Sequence, residues 1–330
     1  MENDIILSLN DVKTYFPAPH KQFVRALDGV SLDVHRGEVL GLVGESGSGK
    51  STLAYTAIGI NKLTAGSIVF DGEPVDMPYR KRSKALKRKM QIVFQDPASA
   101  LNQEQTIHDI LALPLRLFHP ELRGAALTHE VVRLLDMVQL PASFMYKSPA
   151  SIGGGERQMV CIARALACAP EFLILDEPTS ALDVSIQAKV INMLIRFREE
   201  RDLTYLFITH DLSLMRNIAD RIVILYLGKI CEVADTLTFF TKPLHPYTRM
   251  LLSSIPVVSE EEEALKPAHI ESTGEIPSPV NIPSGCSFHL RCPFRTERCM
   301  REDPAEHEVS PGHIVRCHLY GAPSAAVQEP

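Results

Sequence analysis

The segment Gly44-Glu45-Ser46-Gly47-Ser48-Gly49-Lys50-Ser51-Thr52 limits what this chain can fold into more than any other stretch. It fits G-x-x-x-x-G-K-[ST] in full and follows the apolar run Val39-Leu40-Gly41-Leu42-Val43. Such a loop works between a strand and a helix, and the pattern predicts a helix from Gly49 or Lys50 toward Ile60. The glycines let backbone amides converge on phosphate oxygens. Lys50 brings positive charge to the β- and γ-phosphates, and Ser51 offers a hydroxyl to Mg²⁺. The amides and dipole of the following helix add to the same site.

A Mg²⁺ site also needs a carboxylate. Phe172-Leu173-Ile174-Leu175 reads as a buried strand and ends on Asp176-Glu177. Asp176 is expected to hold the metal, and Glu177 to polarise the attacking water. Hydrolysis of a phosphoanhydride asks mostly for positioning and charge neutralisation. His210, closing the strand Thr204–Thr209, is placed to bond the γ-phosphate or orient the water. Gln95, closing the strand read over Gln91–Pro97, is placed to reach Mg²⁺ or water. Each of these two carries little weight alone, and they gain it as a set.

The rest of the chain reads as a repeating α/β core. Residues 1–38 alternate in short strands, and 66–72 is a strand closed by Asp71-Gly72. Arg80–Met90 reads as a basic helical stretch. Thr106–Leu140 has a helical period broken at Pro114 and Pro120. Glycines 153–155 precede another helix, and a long helix begins at Asp183. After residue 241 the sequence turns proline-rich, with an acidic run at Glu260–Glu263. With 330 residues, 45% of them apolar, there is material for a large core plus a small appendage. No apolar run approaches the roughly 20 residues of a bilayer span, and the acidic N-terminus is unlike a secretory signal. The net charge of −6 argues against a chain that mainly coats nucleic acid. The basic residues between Arg80 and Lys89 lack the aromatic interleaving of a base-stacking surface.

The ordered series GESGSGKST, QDP at Gln95–Pro97, LILDEPTSALD at Leu173–Asp183 and ITH ending at His210 resembles the ATP-binding subunit of an ABC transporter, over residues 5–240. The resemblance implies a P-loop NTPase core of ABC type, with an antiparallel β subdomain and a helical insert at about 98–160. It implies ATP and Mg²⁺ as ligands, and an aromatic residue stacked on adenine, Phe16 by spacing or Tyr15 as the alternative. It also implies head-to-tail pairing, with ATP between one subunit's phosphate loop and the other's signature segment. That segment departs from the usual LSGGQ and reads Ile152-Gly153-Gly154-Gly155-Glu156. Gly153 lacks the expected hydroxyl, and Glu156 puts a charge where a neutral glutamine is usual. The departure predicts an asymmetric pair, a heterodimer with a second ABC ATPase subunit, with a weakened homodimer as the alternative.

The tail, with His245-Pro246-Tyr247-Thr248, Gly274-Glu275-Ile276-Pro277 and Gly285-Cys286-x-Phe288-His289-x-Arg291-Cys292-Pro293, resembles the extension of dipeptide, oligopeptide and nickel uptake ATPases. Residues 241–330 are expected to form this C-terminal extension, behind a nucleotide-binding domain at 1–240. The implied partners are two membrane-spanning permease subunits and, indirectly, an external solute-binding protein, with no nucleic acid. The implied location is the cytoplasmic face of the membrane. Four of the seven cysteines, Cys286, Cys292, Cys299 and Cys317, cluster here. Four thiolates take zinc or a [4Fe–4S] cluster, or stay as thiols. The resemblance favours a structural iron–sulfur cluster. The resulting expectation is an ATPase powering import of short peptides. Two alternatives stand beside it: a soluble ABC-type ATPase acting on DNA or ribosomes, and a weakly hydrolysing regulatory subunit.

Overall fold

The computed structural model describes residues 4–180, 182–255 and 274–320. The acidic run at Glu260–Glu263 and Ala181 of the LILDEPTSALD series lie outside them. Two sheets organise the chain. The first is antiparallel, in the order β2-β1-β4-β5, from β1 (Ile5–Pro17), β2 (Phe23–His35), β4 (Ala65–Phe70) and β5 (Glu73–Pro74). Asp71 and Gly72 both take positive φ, which gives the tight β4–β5 turn.

The second sheet has eight strands, in the order β11-β12-β10-β9-β3-β8-β7-β6. They are β3 (Val39–Val43), β6 (Met90–Val93), β7 (Phe172–Asp176), β8 (Thr204–Thr209), β9 (Arg221–Tyr226), β10 (Lys229–Asp235), β11 (His307–Ser310) and β12 (His313–Val315). Strands β6, β7, β8, β3 and β9 run parallel, and β10, β11 and β12 extend the sheet antiparallel. The central strands read as unbroken apolar runs because both faces are buried. In β3, Val39 and Val43 enter one core while Leu40 and Leu42 enter the other. In β7, Leu173 and Leu175 part from Phe172 and Ile174 in the same way.

Among the described residues the sheets are flanked by α1 (Lys50–Ala57), α2 (Lys84–Lys89), α3 (Pro97–Ala100), α4 (Ile107–Phe118), α5 (Ala125–Met137), α6 (Gly154–Leu166), α7 (Val184–Arg201), α8 (Leu212–Ile218), α9 (Thr236–Thr241) and α10 (Pro246–Ser253). A further short helix spans Glu297–Arg301. Helices α4, α5 and α6 pack on one another as the helical insert.

Several local expectations need correction. Pro114 does not break its helix: α4 runs through it to Phe118. Only one backbone hydrogen bond is lost, and the burial of Ile110, Leu111, Pro114 and Leu115 holds the segment together. The basic stretch is not one helix. It starts as a 3₁₀ turn at Tyr79–Lys81, and α2 begins only after Ser83, whose hydroxyl accepts the Leu86 amide hydrogen. Arg82 turns inward, 4% exposed, and donates to the carbonyls of Ala57 and Val75 at 2.9 and 2.8 Å. The strand expected over Gln91–Pro97 stops at Val93, and Asp96 instead caps α3.

Candidate functional site

Parallel strands bring their carboxyl ends to one edge of a sheet, the edge at which α/β folds bind ligands. Val43 is paired with Thr209, Asp176 with Ile208 and Val93 with Leu175. The phosphate loop after β3, the acids ending β7, His210 after β8 and Gln95 after β6 therefore share that edge. The sequence signals converge there although they span residues 44–210.

The loop is held by close backbone approach. Gly49 has φ +109°, and a Cβ there would lie 2.4 Å from the Ala26 carbonyl oxygen; at Gly44 it would lie 2.2 Å from the Leu225 carbonyl oxygen. Lys50 is buried and turned back on its own loop. Its Nζ donates to the carbonyls of Gly44 and Glu45 at 2.7 and 2.9 Å. Burial lowers its pKa, and the carboxylates of Glu177, Asp176 and Glu45 oppose that effect. Ser51 Oγ donates to Asp176 Oδ1 at 3.0 Å. Asp176 Oδ2 is buried with no hydrogen bond of ordinary geometry, and burial raises the pKa of this carboxyl while hydrogen bonding from Ser51 and Tyr55 opposes the rise. A buried acid with an open oxygen beside a hydroxyl is the environment a small divalent cation satisfies, so Ser51 and Asp176 fit Mg²⁺.

Glu177 gathers the remaining polar groups. Gln95 Nε2 donates to its Oε2 at 3.1 Å, and His210 Nδ1 lies 3.4 Å from the same oxygen. Glu177 itself has φ 46°, a conformation that costs a non-glycine residue energy and is common at functional sites. Phe16 sits on β1 with an exposed ring. The hydroxyl of neighbouring Tyr15 donates to Asp28, and Arg25 lies over its ring, so Tyr15 is already engaged.

The altered signature segment opens α6. Ile152 is buried, and Gly153 stands in extended backbone as the N-cap. The Gly153 amide donates to Glu156 Oε2 at 2.7 Å. The Glu156 charge is thus folded onto the positive end of its own helix. Gly154 has no heavy atom within 4 Å of a built Cβ, whereas Gly155 packs on Ile186 of α7.

The cysteine cluster requires a correction. Cys286, Cys292, Cys299 and Cys317 line one cavity of about 40 Å³ with Phe288 and His289. Yet among the described residues no group of three or more His, Cys, Asp or Glu side chains is placed to hold a metal ion, and no disulfide joins them. Neither the iron–sulfur cluster nor zinc is supported. Burial raises the pKa of Cys286, pushes Cys292 up to about 11 and Cys317 up to about 12, so these side chains stand as neutral thiols. The extension is held by ordinary packing instead. Strand β12 pairs with β10, and Tyr247, tilted, and Phe288, edge-on, pack against Tyr226 at 4.7 and 5.3 Å between ring centroids. His313 Nε2 lies 2.8 Å from Oε1 of the fully buried Glu232, which also accepts the amide hydrogens of Leu244 and His245.

Sequence reasoning missed two residues that reach the phosphate loop. Tyr247 Oη accepts the Glu45 amide hydrogen at 2.9 Å. Arg291 donates to Glu45 Oε2 and Oε1 at 2.7 and 3.1 Å. Their separations of 202 and 246 residues leave no local signal.

Comparison with known proteins agrees with this architecture. Residues 27–180 match the family described as ABC transporter, and residues 231–299 match the oligopeptide/dipeptide transporter C-terminal region. The oligopeptide transport ATP-binding protein AppF of Bacillus subtilis is 45% identical, over 96% of this chain and 98% of its own. The dipeptide transport ATP-binding protein DppF of Haemophilus influenzae is 39% identical, over 96% and 97%. Among solved structures, the ATP-binding cassette MJ0796, a dimer bound to ADP and Pi, superposes with a TM-score of 0.61 at 28% identity, covering 70% of this chain and 98% of that one. Among the described residues no helix is long and apolar enough to cross a membrane.

Proposed function

This chain belongs to the ABC transporter ATP-binding subunits of the oligopeptide, dipeptide and nickel uptake group, and from that premise we propose that it hydrolyses ATP to drive import of short peptides through separate membrane subunits. The observation that carries the reading is the convergence of the phosphate loop, Asp176, Glu177, Gln95 and His210 on one sheet edge, in a chain similar to peptide transport subunits along almost its whole length.

In this reading the amides of Gly47–Thr52 cradle the phosphates, and Lys50 exchanges its two loop carbonyls for the β- and γ-phosphate oxygens. Ser51 and Asp176, with Gln95, hold Mg²⁺, which supplies charge neutralisation when bound. Glu177 accepts a proton from the attacking water as its oxygen bonds to the γ-phosphorus. The bond from that phosphorus to the bridging oxygen breaks, and ADP leaves. His210 and Gln95 orient the Glu177 carboxylate toward that water. Phe16, exposed on β1, stacks on adenine.

The signature segment 152–156 faces the nucleotide of a second ATPase subunit. Gly153 offers no hydroxyl there and Glu156 occupies the Gly153 amide, which supports a heterodimer with unequal sites. A cavity of about 390 Å³ between α2, β6, α4 and α6, lined by Tyr79, Lys87, Leu113, Leu117 and Phe118, suits a cytoplasmic segment of a permease subunit.

The test is purification of the tagged chain from gently solubilised membranes of its native cell, with uptake of labelled di- to pentapeptides measured in the deletion strain. Two multispanning proteins, a second phosphate-loop subunit and lost uptake are expected. A ribosome or DNA complex without membrane proteins would overturn the transport reading.

A further inference from the structure

Two side chains from beyond residue 240 grip a single residue of the phosphate loop. The Glu45 amide donates to Tyr247 Oη, and the Glu45 carboxylate takes both terminal nitrogens of Arg291. Neither side chain is free to drift. Tyr247 is fully buried, and Arg291, 7% exposed, has its guanidinium 5.8 Å from the Phe288 ring centroid and 5.9 Å from that of Tyr226. A fork-to-carboxylate pair of this kind fixes orientation as well as charge. The gripped residue is also the one whose carbonyl accepts from Lys50 Nζ. The Glu45 carboxylate is close enough to Lys50 to interact with it electrostatically.

We propose that Arg291 is a positioning residue for nucleotide binding: it neutralises Glu45 and draws its carboxylate away from Lys50 and the phosphate site, while Tyr247 fixes the Glu45 peptide. The C-terminal extension thereby sets the affinity of the loop for ATP. Without Arg291 the Glu45 carboxylate competes with the nucleotide for Lys50 and repels its phosphates. The proposal rests on the ATPase reading of the loop.

A charge argument predicts a rescue that a packing argument does not. MgATP affinity is measured on the purified full-length chain, and single-turnover hydrolysis on the assembled complex, for wild type, R291Q, E45Q and the double variant. R291Q is expected to raise the Kd for MgATP about tenfold, with the rate at saturating nucleotide within about threefold of wild type. E45Q in the R291Q background is expected to bring Kd back to within about threefold of wild type. Unchanged affinity in R291Q overturns the proposal, and so does a double variant no tighter than R291Q alone. If R291Q fails to fold, Y247F decides: it keeps the ring and loses the acceptor for the Glu45 amide, and Kd should rise about threefold. Wild-type affinity in Y247F would then overturn the proposal. A wild-type chain that bound no MgATP would overturn this proposal and the ATPase reading together, whereas binding without coupling in the cycle removes this one alone.

Discussion

Replacing Glu177 by glutamine tests the hydrolytic edge with little disturbance of shape. The amide has the volume of the carboxylate, and its oxygen can still accept from Gln95 Nε2, now 3.1 Å from Oε2. What disappears is the capacity to take a proton from water. A positioned general base contributes about 10²–10⁴ in rate, or roughly 3–5 kcal/mol of barrier. Binding should move the other way. Glu177 is one of three carboxylates around Lys50, and removing its charge lessens repulsion of the nucleotide phosphates. The assay is single-turnover hydrolysis of labelled ATP beside equilibrium MgATP binding, both on the assembled complex. Hydrolysis at the site this chain's own loop forms should fall at least a hundredfold, with Kd unchanged or tighter. A fall of less than tenfold would refute the assignment of Glu177 as the proton acceptor, and a parallel loss of affinity would show that the residue shapes the site instead.

Three further outcomes follow from the geometry. Arg82→Ala removes the buried donors to the Ala57 and Val75 carbonyls and should destabilise the chain by about 3 kcal/mol in urea unfolding. His245 is held by burial at about 4, below its ordinary 6.5, and its Nδ1 accepts the Tyr247 amide hydrogen as a neutral ring. The unfolded chain therefore takes up a proton at a pH where the folded one does not, so stability should fall by roughly 3 kcal/mol as pH drops from about 6.5 to 4, and His245→Asn should flatten that slope in a pH series of unfolding midpoints. Gly153→Ser restores a hydroxyl at a place where an added Cβ meets only Glu156 Oε2, at 3.5 Å. Turnover of the assembled pair should rise about tenfold if that hydroxyl reaches the opposite nucleotide.

The legible parts of this molecule are those in which a short run of sequence dictates its own backbone. Gly44 and Gly49 are where no other residue fits, and β7 is apolar throughout because both its faces are covered. Asp176 and Glu177 follow from where that strand ends, and from there the edge containing Gln95 and His210 could be read. Local signals failed where packing decides. Pro114 reads as a breaker, yet burial on the helical insert carries α4 through it. Arg82 belongs by sequence to a basic helical stretch, and only the approach of Gly59 and the Ala57 carbonyl shows that it is an interior strut. Four clustered cysteines offered candidate ligands but no ligand geometry, and among the described residues the thiols are gathered around one cavity without forming a metal centre. The Arg291–Glu45 pair joins two modules whose motifs were read separately, so neither motif announced it.

The pairing of β12 with β10 has a consequence for how the chain is made. Glu232 on β10 meets its partner His313 only 81 residues later. During synthesis the ATPase body can form around β3 while β10 waits as an unpaired strand edge, with a buried carboxylate that is only partly satisfied. Exposed edges of this kind recruit other chains, and closing a long loop onto one is slow. The nascent subunit therefore passes through a stage in which its central sheet is nearly complete but its margin is open. That stage is where a holding chaperone would bind, and where overproduction without one would send the chain to aggregates.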